Sequence, residues 1–304
     1  MAQDRPIIPI TPSVTEIPYV LLPETESLFS DRALRLGNLA HGHAMADYLS
    51  FAAAISQAQQ GELNALPKLF LPNVAAGQPP LSISLVTIDP VWQQVLHRLV
   101  DAVSAQAPQD YTARLKNLMT TATKEDLERW AQAHLHGDRA DCDIGLLPIL
   151  AAALQVVWAA MTRSLPPGLI PSRGDHASHT CPVCDSLPVG SIVRSGAANQ
   201  GLRYLTCSLC ASQWNLERIR CIHCGDAQHV FYYGIEGTDG AVQAETCDSC
   251  HTYSKIMHTE KNPAVDMMAD DLATMSLDIL VGEAGYQRYG FNPLLITEPE
   301  PATV

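Results

Sequence analysis

The chain has 304 residues, of which 47% are hydrophobic and 17% are charged, and its formal net charge is −13 at pH 7. This length accommodates one large domain or two ordinary ones, and the composition is that of a globular protein with enough apolar residues for a core. The acidic balance argues against general nucleic-acid binding, because an acidic chain gains nothing from counterion release at a phosphate backbone.

Residues 1–25 contain prolines at positions 6, 9, 12, 18 and 23. Proline cannot donate a main-chain hydrogen bond, so this density of prolines predicts an extended arm. The segment also lacks a basic stretch followed by a continuous apolar run, which argues against a secretory signal. We therefore predict a cytoplasmic protein whose thiols are reduced.

Residues 26–165 predict a helical bundle, because apolar residues recur there at the spacing of one helix face. The three clearest stripes are Met45, Tyr48, Leu49, Ala52 and Ala53; Trp92, Val95, Leu96, Leu99, Val100 and Val103; and Leu127, Trp130, Ala131, His134 and Leu135. Thr123 with Asp126 resembles a capping box ahead of the third stripe. The apolar run 145–161 is short for a membrane span and contains Pro148 and Gln155, so it predicts a central buried helix.

Prolines and glycines in residues 166–180 predict a linker, after which the sequence changes to short β-like runs. Within residues 261–304, helical spacing returns at Leu272, Met275, Ile279 and Leu280, which predicts a closing helix followed by a tail. The sequence leaves open whether this helix docks on the bundle or caps the middle region. Asp270 and Asp271 are most simply an acidic first turn favoured by the helix dipole.

Eight of the nine cysteines form four C-x2-C pairs, namely Cys181 with Cys184, Cys207 with Cys210, Cys221 with Cys224, and Cys247 with Cys250. A shift of 40 residues places the first two pairs on the last two, and each half reads C-x2-C-x22-C-x2-C. Such a repeat indicates one structural unit used twice. We predict a first four-cysteine ribbon over residues 181–220 and a second over residues 221–260.

Each C-x2-C turn is a knuckle that directs two sulfurs at one point, and two facing knuckles supply a tetrahedron of sulfurs suited to zinc or iron. The 22 intervening residues leave room for a hairpin, with strands at 191–194 and 202–206 in the first unit and at 229–235 and 241–246 in the second. Pairing within each unit is favoured because each unit then closes its own site, and a cross-braced pairing stays open. A site with four thiolates has no open position for activating water, so it is structural or transfers electrons.

The remaining candidate ligands have simpler interpretations. Cys142 lies outside the repeated frame and is typical of a small core residue. His176 and His179 precede the first knuckle and are alternative ligands to one of its cysteines. His223 and His251 lie in or beside knuckles, where they would tune a site without binding the metal.

The ribbon region has the wrong charge for reading nucleic acid. Between residues 181 and 258 seven acidic side chains stand against five basic ones, and coordinated thiolates would add further negative charge. A protein partner fits this surface better.

The segments CPVC (181–184), RYLTCSLCASQW (203–214), RCIHCG (220–225) and ETCDSCHTYSK (245–255) resemble the FdhE family of formate dehydrogenase accessory proteins, as does the tail over residues 269–295. A glycine is commoner in that family where this chain has Asp185. The resemblance implies a cytoplasmic, non-catalytic maturation factor with rubredoxin-like iron sites that contacts the catalytic subunit of a molybdenum formate dehydrogenase. It also implies that all eight paired cysteines are metal ligands, one ion for each group of four.

We therefore predict an α+β protein, with an N-terminal all-α helical bundle followed by two tandem rubredoxin-like or zinc-ribbon β units and a C-terminal helix. Three hypotheses follow for its function. The metals, iron or alternatively zinc, organise a chaperone surface for the client; or they pass electrons to a client; or the C-x2-C thiols act on the client as an enzyme without metal. We rank them in that order and expect no enzymatic activity.

Overall fold

The computed structural model of the chain describes residues 17–71, 73, 78–84, 90–137, 142–172, 179–196 and 201–295. Of the predicted arm, residues 1–16 lie outside this description, as does His176. A group of α-helices precedes a mixed β-sheet along the chain, which confirms the predicted fold class. Within the described ranges, no helix has the length and apolar composition needed to cross a membrane.

Among the described residues, six α-helices form the N-terminal part. They are α1 (Leu28–Ala40), α2 (Ala46–Ala65), α3 (Val91–Ser104), α4 (Gln109–Thr121), α5 (Lys124–His136) and α6 (Leu147–Thr162). The predicted apolar stripe of α3 is the face that it buries. Residues 148–162 of α6 are all buried, as predicted from the apolar run over residues 145–161. Thr123 and Asp126 form the predicted capping box of α5, and Gly137 ends that helix in the left-handed conformation.

In the part of the chain that the structure describes, the sheet has eight strands, in the spatial order β1-β4-β3-β2-β7-β6-β5 with β8 beside β7. They are β1 (Val20–Leu21), β2 (Pro188–Val193), β3 (Arg203–Cys207), β4 (Gln213–Leu216), β5 (Val230–Tyr233), β6 (Val242–Cys247), β7 (Thr252–His258) and β8 (Gln287–Arg288). The two predicted hairpins are β2–β3 and β5–β6. Each gains a third strand that the sequence did not predict, β4 in the first ribbon and β7 in the second.

The two ribbons share one continuous sheet because β2 pairs with β7 in parallel. Strands β2, β4, β5 and β7 begin just after a cysteine knuckle, whereas β3 and β6 end at one. With neighbouring β2 and β7 parallel and the hairpins antiparallel, all four knuckles lie at the same end of the sheet. At the edge of the sheet formed by the first ribbon, β1 pairs with β4, so part of the predicted arm belongs to this ribbon.

The predicted closing helix comprises two shorter ones, α7 (Met267–Ala273) and α8 (Met275–Glu283), which meet at Thr274. Helix α7 packs against α1, α2 and β2 in a core that includes Leu36, Leu49 and Leu272. Helix α8 packs on the second ribbon through Leu277 and Val281. The break therefore lets one segment dock on the bundle while the other covers the ribbon.

Asp270 lies in the first turn of α7 as predicted, and Asp271 follows it, but both side chains are also buried and ion-paired, which the sequence did not predict. Asp270 binds the guanidinium of Arg35 on α1 with an oxygen–nitrogen distance of 2.5 Å. Asp271 lies 3.3 Å from Nζ of Lys255 and 2.7 Å from Nη2 of Arg288. These pairs connect elements that are far apart in sequence, which local patterns do not reveal.

Lys255 and Arg288 also reach Asp278 on α8, at 2.5 Å and 2.7 Å respectively, so two cations and two carboxylates form one network. Lys255 and Asp271 are both completely buried. Burial opposes ionisation of Asp271, but the neighbouring Lys255 and Arg288 charges lower its pKa below the ordinary value. The network fixes β7, α7, α8 and β8 relative to one another.

We expect Asp271→Asn to lower the free energy of unfolding by about 3 kcal/mol, because it leaves the buried Lys255 and the partly buried Arg288 with a single carboxylate. The measurement is urea unfolding followed by circular dichroism in metal-saturated buffer. Asp101→Asn, at an exposed position on α3, is the control and should change stability by less than about 0.5 kcal/mol. Equal effects of the two variants would contradict the role given to the network.

Candidate metal centres

The structure brings the eight paired cysteines together in two groups. Cys181, Cys184, Cys207 and Cys210 form the first centre, and Cys221, Cys224, Cys247 and Cys250 form the second. Within each group the sulfurs all lie within 4.8 Å of one another. The cysteines thus converge within each ribbon, and the cross-braced alternative does not describe this fold.

The sulfur spacing fits a tetrahedral metal ion. The Sγ atoms of Cys184 and Cys207 are 3.4 Å apart, and those of Cys181 and Cys210 are 3.6 Å apart. In the second centre the corresponding distances, Cys221 to Cys250 and Cys224 to Cys247, are both 3.6 Å. Four sulfurs placed about 2.3 Å from one metal ion at tetrahedral corners lie roughly 3.8 Å from each other. Two four-sulfur groups of this size fit zinc or iron and leave no ligand position for water.

Main-chain amides of the knuckles point at the sulfurs, as expected for thiolate ligands. The amides of Leu209 and Cys210 donate to Sγ of Cys207 at 3.3 and 3.4 Å. The amide of Cys224 donates to Sγ of Cys221 at 3.5 Å. Such donors disperse the negative charge on the sulfur and fix the knuckle geometry.

Each knuckle ends in a left-handed residue directly after its second cysteine. The φ angles are 67° at Asp185, 59° at Ala211, 78° at Gly225 and 53° at His251. This turn lets the chain reverse, so that in the first knuckle the Asp185 amide donates to the carbonyl of Cys181 at 2.8 Å. Glycine adopts positive φ without a steric cost, which explains why glycine suits the position that Asp185 occupies.

The first centre is part of the main hydrophobic core. All four of its cysteines are 0% exposed, and they pack in the same cluster as Trp158 of α6. The segment ahead of α3 also covers the first knuckle, since the amides of Leu81 and Ile83 donate to the carbonyls of Val183 and Cys184. Gln155, the polar interruption in the apolar helix α6, donates to the carbonyl of Ser208 in the second knuckle at 2.7 Å.

Burial raises the pKa of the Cys181 and Cys207 thiols well above the ordinary value. Four thiolates in so dry a volume would repel one another, and a bound cation is the available compensation. The chemistry of the donor set therefore fits a divalent or trivalent metal ion that belongs to the folded core.

The second centre is more open. Cys224 is exposed and Cys250 is partly exposed, although Cys221 and Cys247 are buried. Burial raises the pKa of Cys247 to about 12. Burial also opposes ionisation of Cys250, but hydrogen bonds from the Thr252 hydroxyl and from His223 lower its pKa to about 6. The two centres share one ligand set but differ sharply in their access to solvent.

The other predicted candidates lie outside both sulfur groups. His179 Nδ1 is 2.7 Å from the carbonyl of Ile222, and its own carbonyl accepts from the Tyr289 hydroxyl, so it links the two ribbons. His223 packs on the ring of Tyr289, and His251 lies near Tyr286. Cys142 is partly exposed at the edge of the main core.

A buried ion pair, which the sequence did not reveal, joins the ribbons behind the second centre. Arg203 on β3 binds Glu245 on β6 at 2.6 Å, and both side chains are buried. The Arg203 guanidinium also donates to the carbonyl of Arg220, and the Tyr232 hydroxyl donates to Glu245 at 3.0 Å. Because Glu245 is two residues from Cys247, the Arg203–Glu245 ion pair connects the first ribbon to the strand that carries a cysteine of the second centre.

A cavity of about 230 Å³ adjoins the first centre, between α5, α6, its knuckles and the C-terminal tail. His134 of α5 lines it and contacts the ring of Phe291 edge to face, with the ring centres 5.7 Å apart. Burial lowers the pKa of His134 to about 4, so this imidazole is neutral at pH 7.

Family models cover nearly all of the described chain. The model for the FdhE N-terminal region matches residues 17–173, that for the central domain matches 180–218, and that for the C-terminal domain matches 219–295. An FdhE homolog from Edwardsiella ictaluri is 42% identical over 282 residues, spanning 91% of both chains. Protein FdhE from Salmonella paratyphi B is 37% identical over 286 residues, spanning 92% of this chain and 91% of that protein.

A solved structure shows the same fold. The crystal structure of the FdhE protein from Pseudomonas aeruginosa superimposes with a TM-score of 0.78 at 33% sequence identity. The match covers 91% of this chain and 99% of that one. The relationship therefore spans both the helical part and the ribbons.

We expect a chelator to expose the two centres to alkylation at different rates. When the metal-loaded chain is treated with EDTA and iodoacetamide, Cys224 and Cys250 should be modified at least about tenfold faster than the four cysteines of the first centre, which react only when the core opens. Peptide mass spectrometry at successive times measures each rate. The urea-unfolded chain is the control and should lose this difference, whereas equal rates in the folded chain would contradict the contrast in burial.

His134 should make the fold less stable in acid. Below pH 6.5 the unfolded chain takes up a proton at this imidazole, while the folded chain does so only near pH 4, so stability falls as the pH drops through that window. The expected contribution is about 1 kcal/mol per pH unit. His134→Gln should reduce the slope by this amount in unfolding measured from pH 7 to pH 4.5. Asn117→Gln, at an exposed site on α4, changes no titratable group and should leave the slope unchanged.

Proposed function

The chain belongs to the FdhE family, and from that membership we propose that it is an accessory protein for the maturation of a molybdenum-containing formate dehydrogenase. It acts in the cytoplasm and binds the catalytic subunit of that enzyme through a surface organised by its two four-cysteine metal centres. The eight paired cysteines are the metal ligands, with one iron ion, or alternatively zinc, in each centre. The observation that carries the proposal is the agreement of family, fold and both complete sulfur groups along the whole described chain.

The geometry supports a binding role over a catalytic one. Each centre offers four sulfurs to one ion and no vacant ligand position, so neither centre suits activation of water or substrate. The first centre lies inside the main core, where its thiols cannot meet a client. A metal there supplies folding energy and holds the knuckles against α6.

The redox alternative keeps one specific observation in its favour, the exposure of Cys224 in the second centre. An iron ion bound there would lie close to the surface, where electron exchange with a partner is possible. Under this alternative the second centre performs the reaction and the first remains structural. The thiol-enzyme alternative would also have to use the second centre.

The proposal is tested with the full-length chain and the purified catalytic subunit of formate dehydrogenase. We expect the metal-loaded chain to contain about two metal ions and to bind the subunit. Cys247→Ser should lose one ion and weaken binding by about tenfold or more, because the second ribbon then lacks the metal site that stabilises its fold. Cys142→Ser is the matched control, since Cys142 lies outside both sulfur groups. It should retain metal content and affinity.

Metal replacement separates the rival functions. If the centres organise a surface, the zinc-loaded and iron-loaded chains should bind the subunit equally well and mature the enzyme equally well. If the second centre transfers electrons, both forms should bind but only the iron form should support formate oxidation by the client. Absence of binding by the unaltered metal-loaded chain would refute the proposed function.

A further inference from the structure

Strand β5 forms an edge of the sheet, and among the described residues its only strand partner is β6. The side chains of β5 include none of the features that normally prevent an edge strand from pairing with another chain. Phe231, Tyr232 and Tyr233 are exposed by 46%, 39% and 48%, and the strand Val-Phe-Tyr-Tyr contains no charge and no proline. Proteins normally blunt an exposed edge with lysine, proline or a bulge, so an apolar open edge points to a partner.

The main-chain groups available at this edge can be identified. The amide of Asp248 donates to the carbonyl of His229, which makes these two residues a hydrogen-bonded pair across β5 and β6. Hydrogen-bonded and non-bonded pairs alternate along an antiparallel ladder, so Phe231 and Tyr233 also bond to β6. The amides and carbonyls of Val230 and Tyr232 therefore point away from the sheet.

The internal repeat shows what such an edge binds. Leu205 of β3 and Glu245 of β6 are equivalent under the 40-residue shift. Leu205 pairs with Ser191 of β2, and Glu245 pairs with Tyr232 of β5. Ser191 is thus the counterpart of Tyr232. At Ser191, the edge of β2 that faces away from β3 pairs with β7 in parallel, and Ser191 lies opposite Ile256. The first ribbon therefore already uses this edge to add a parallel strand, whereas no described strand occupies the equivalent position of the second ribbon.

Electrostatics select the kind of strand that fits. Acidic groups flank both ends of β5, with Asp226 and Asp248 near its start and Glu236 and Asp239 beyond its end. The basic group nearest Tyr232 is Arg203, and Glu245 already balances its charge at 2.6 Å. The other basic groups nearby are Arg218, whose charge acts on the Tyr232 hydroxyl, and Lys261, which donates to the carbonyl of Gly240. A second copy of the chain would bring acidic ends against acidic ends and carries its own net charge of −13, which opposes pairing.

We propose that the β5 edge binds an extended segment of the client protein as an added parallel strand, with apolar or β-branched residues at the centre and basic residues at its flanks. The client is the one named under the proposed function, and this inference rests on that function for the identity of the partner. The main chain of Val230 and Tyr232 supplies the hydrogen bonds, and the exposed aromatic side chains supply the apolar contacts. The chain's own N-terminal residues suit the site poorly, because Pro6, Pro9 and Pro12 interrupt any strand they could offer.

Residue-resolved hydrogen exchange tests the proposal directly. In the metal-loaded chain alone, the amides of Phe231 and Tyr233 should be protected and those of Val230 and Tyr232 should exchange rapidly. Addition of the catalytic subunit should slow exchange at Val230 and Tyr232 by about tenfold or more. A complex in which these two amides still exchange rapidly overturns the edge proposal and leaves the proposed function intact, whereas failure to form any complex overturns both.

Two further outcomes identify a different occupant and would also overturn the proposal. Protection of Val230 and Tyr232 that grows with the concentration of the chain alone would assign the edge to a second copy. Protection in the isolated chain that disappears on deletion of residues 1–16 would assign it to the N-terminal arm. Neither result would affect the metal centres.

A pair of substitutions gives an independent test. Val230→Pro removes an outward amide at the first residue of an edge strand, where proline is tolerated, and Val230→Thr keeps the amide and the β-branched shape. Both variants should retain two metal ions and the alternating protection of Phe231 and Tyr233. Val230→Pro should weaken binding of the client by about tenfold, while Val230→Thr should bind as the unaltered chain does. Equal affinities of the two variants would overturn the proposal.

Discussion

Burial of four cysteine sulfurs inside the main hydrophobic core is the constraint on which the rest of the structure depends. Thiolates are unstable in such a place unless a cation accompanies them, so a metal ion bound there would be a component of the core in the same sense as a packed side chain. Helix α6 is apolar on all sides because it lies between the other helices and this centre. Its one amide side chain, Gln155, donates to the carbonyl of Ser208 and so satisfies a main-chain acceptor at this centre. The helical part and the first ribbon are therefore one packing unit.

Charge is used throughout the interior to join elements distant in sequence. Arg35 with Asp270 connects α1 to α7, and Arg203 with Glu245 connects the two ribbons. Such pairs repay their desolvation only when the geometry is good, so they add little net stability, but they penalise any arrangement that leaves one partner alone. In a sheet assembled from two similar ribbons, this penalty opposes an exchange of their positions. We regard the buried pairs as devices that specify the arrangement.

The parts of the fold that the sequence predicted are those with a local signal. The cysteine frame, the hairpins, the stripe of α3 and the capping box of α5 each depend on residues close together along the chain. Strands β4 and β7 escaped prediction because they contain buried polar residues, such as Asn215 and Lys255, whose partners lie elsewhere. Of the four left-handed positions that follow the knuckles, only Gly225 is a glycine. The other three therefore carry no residue from which positive φ could be predicted. The buried role of Asp271 depends on Lys255 and Arg288, which no local pattern connects to it.

The first and last segments of the described chain close the structure, and this has a consequence for its synthesis. Val20 pairs with Trp214, and the hydroxyl of Tyr48 on α2 bonds to the carbonyl of Leu294 near the C-terminus. At a translation rate of roughly 5–20 residues per second, tens of seconds separate the emergence of these partners from the ribosome. During that interval the apolar faces of α2 and α6 lack part of the chain that packs on them. The cysteines made first also lack the later cysteines that complete each group of four. The nascent chain thus passes through a stage in which its own thiols and core are open to oxidation and aggregation. Under the proposed metal binding, the supply of metal ions sets how soon that stage ends.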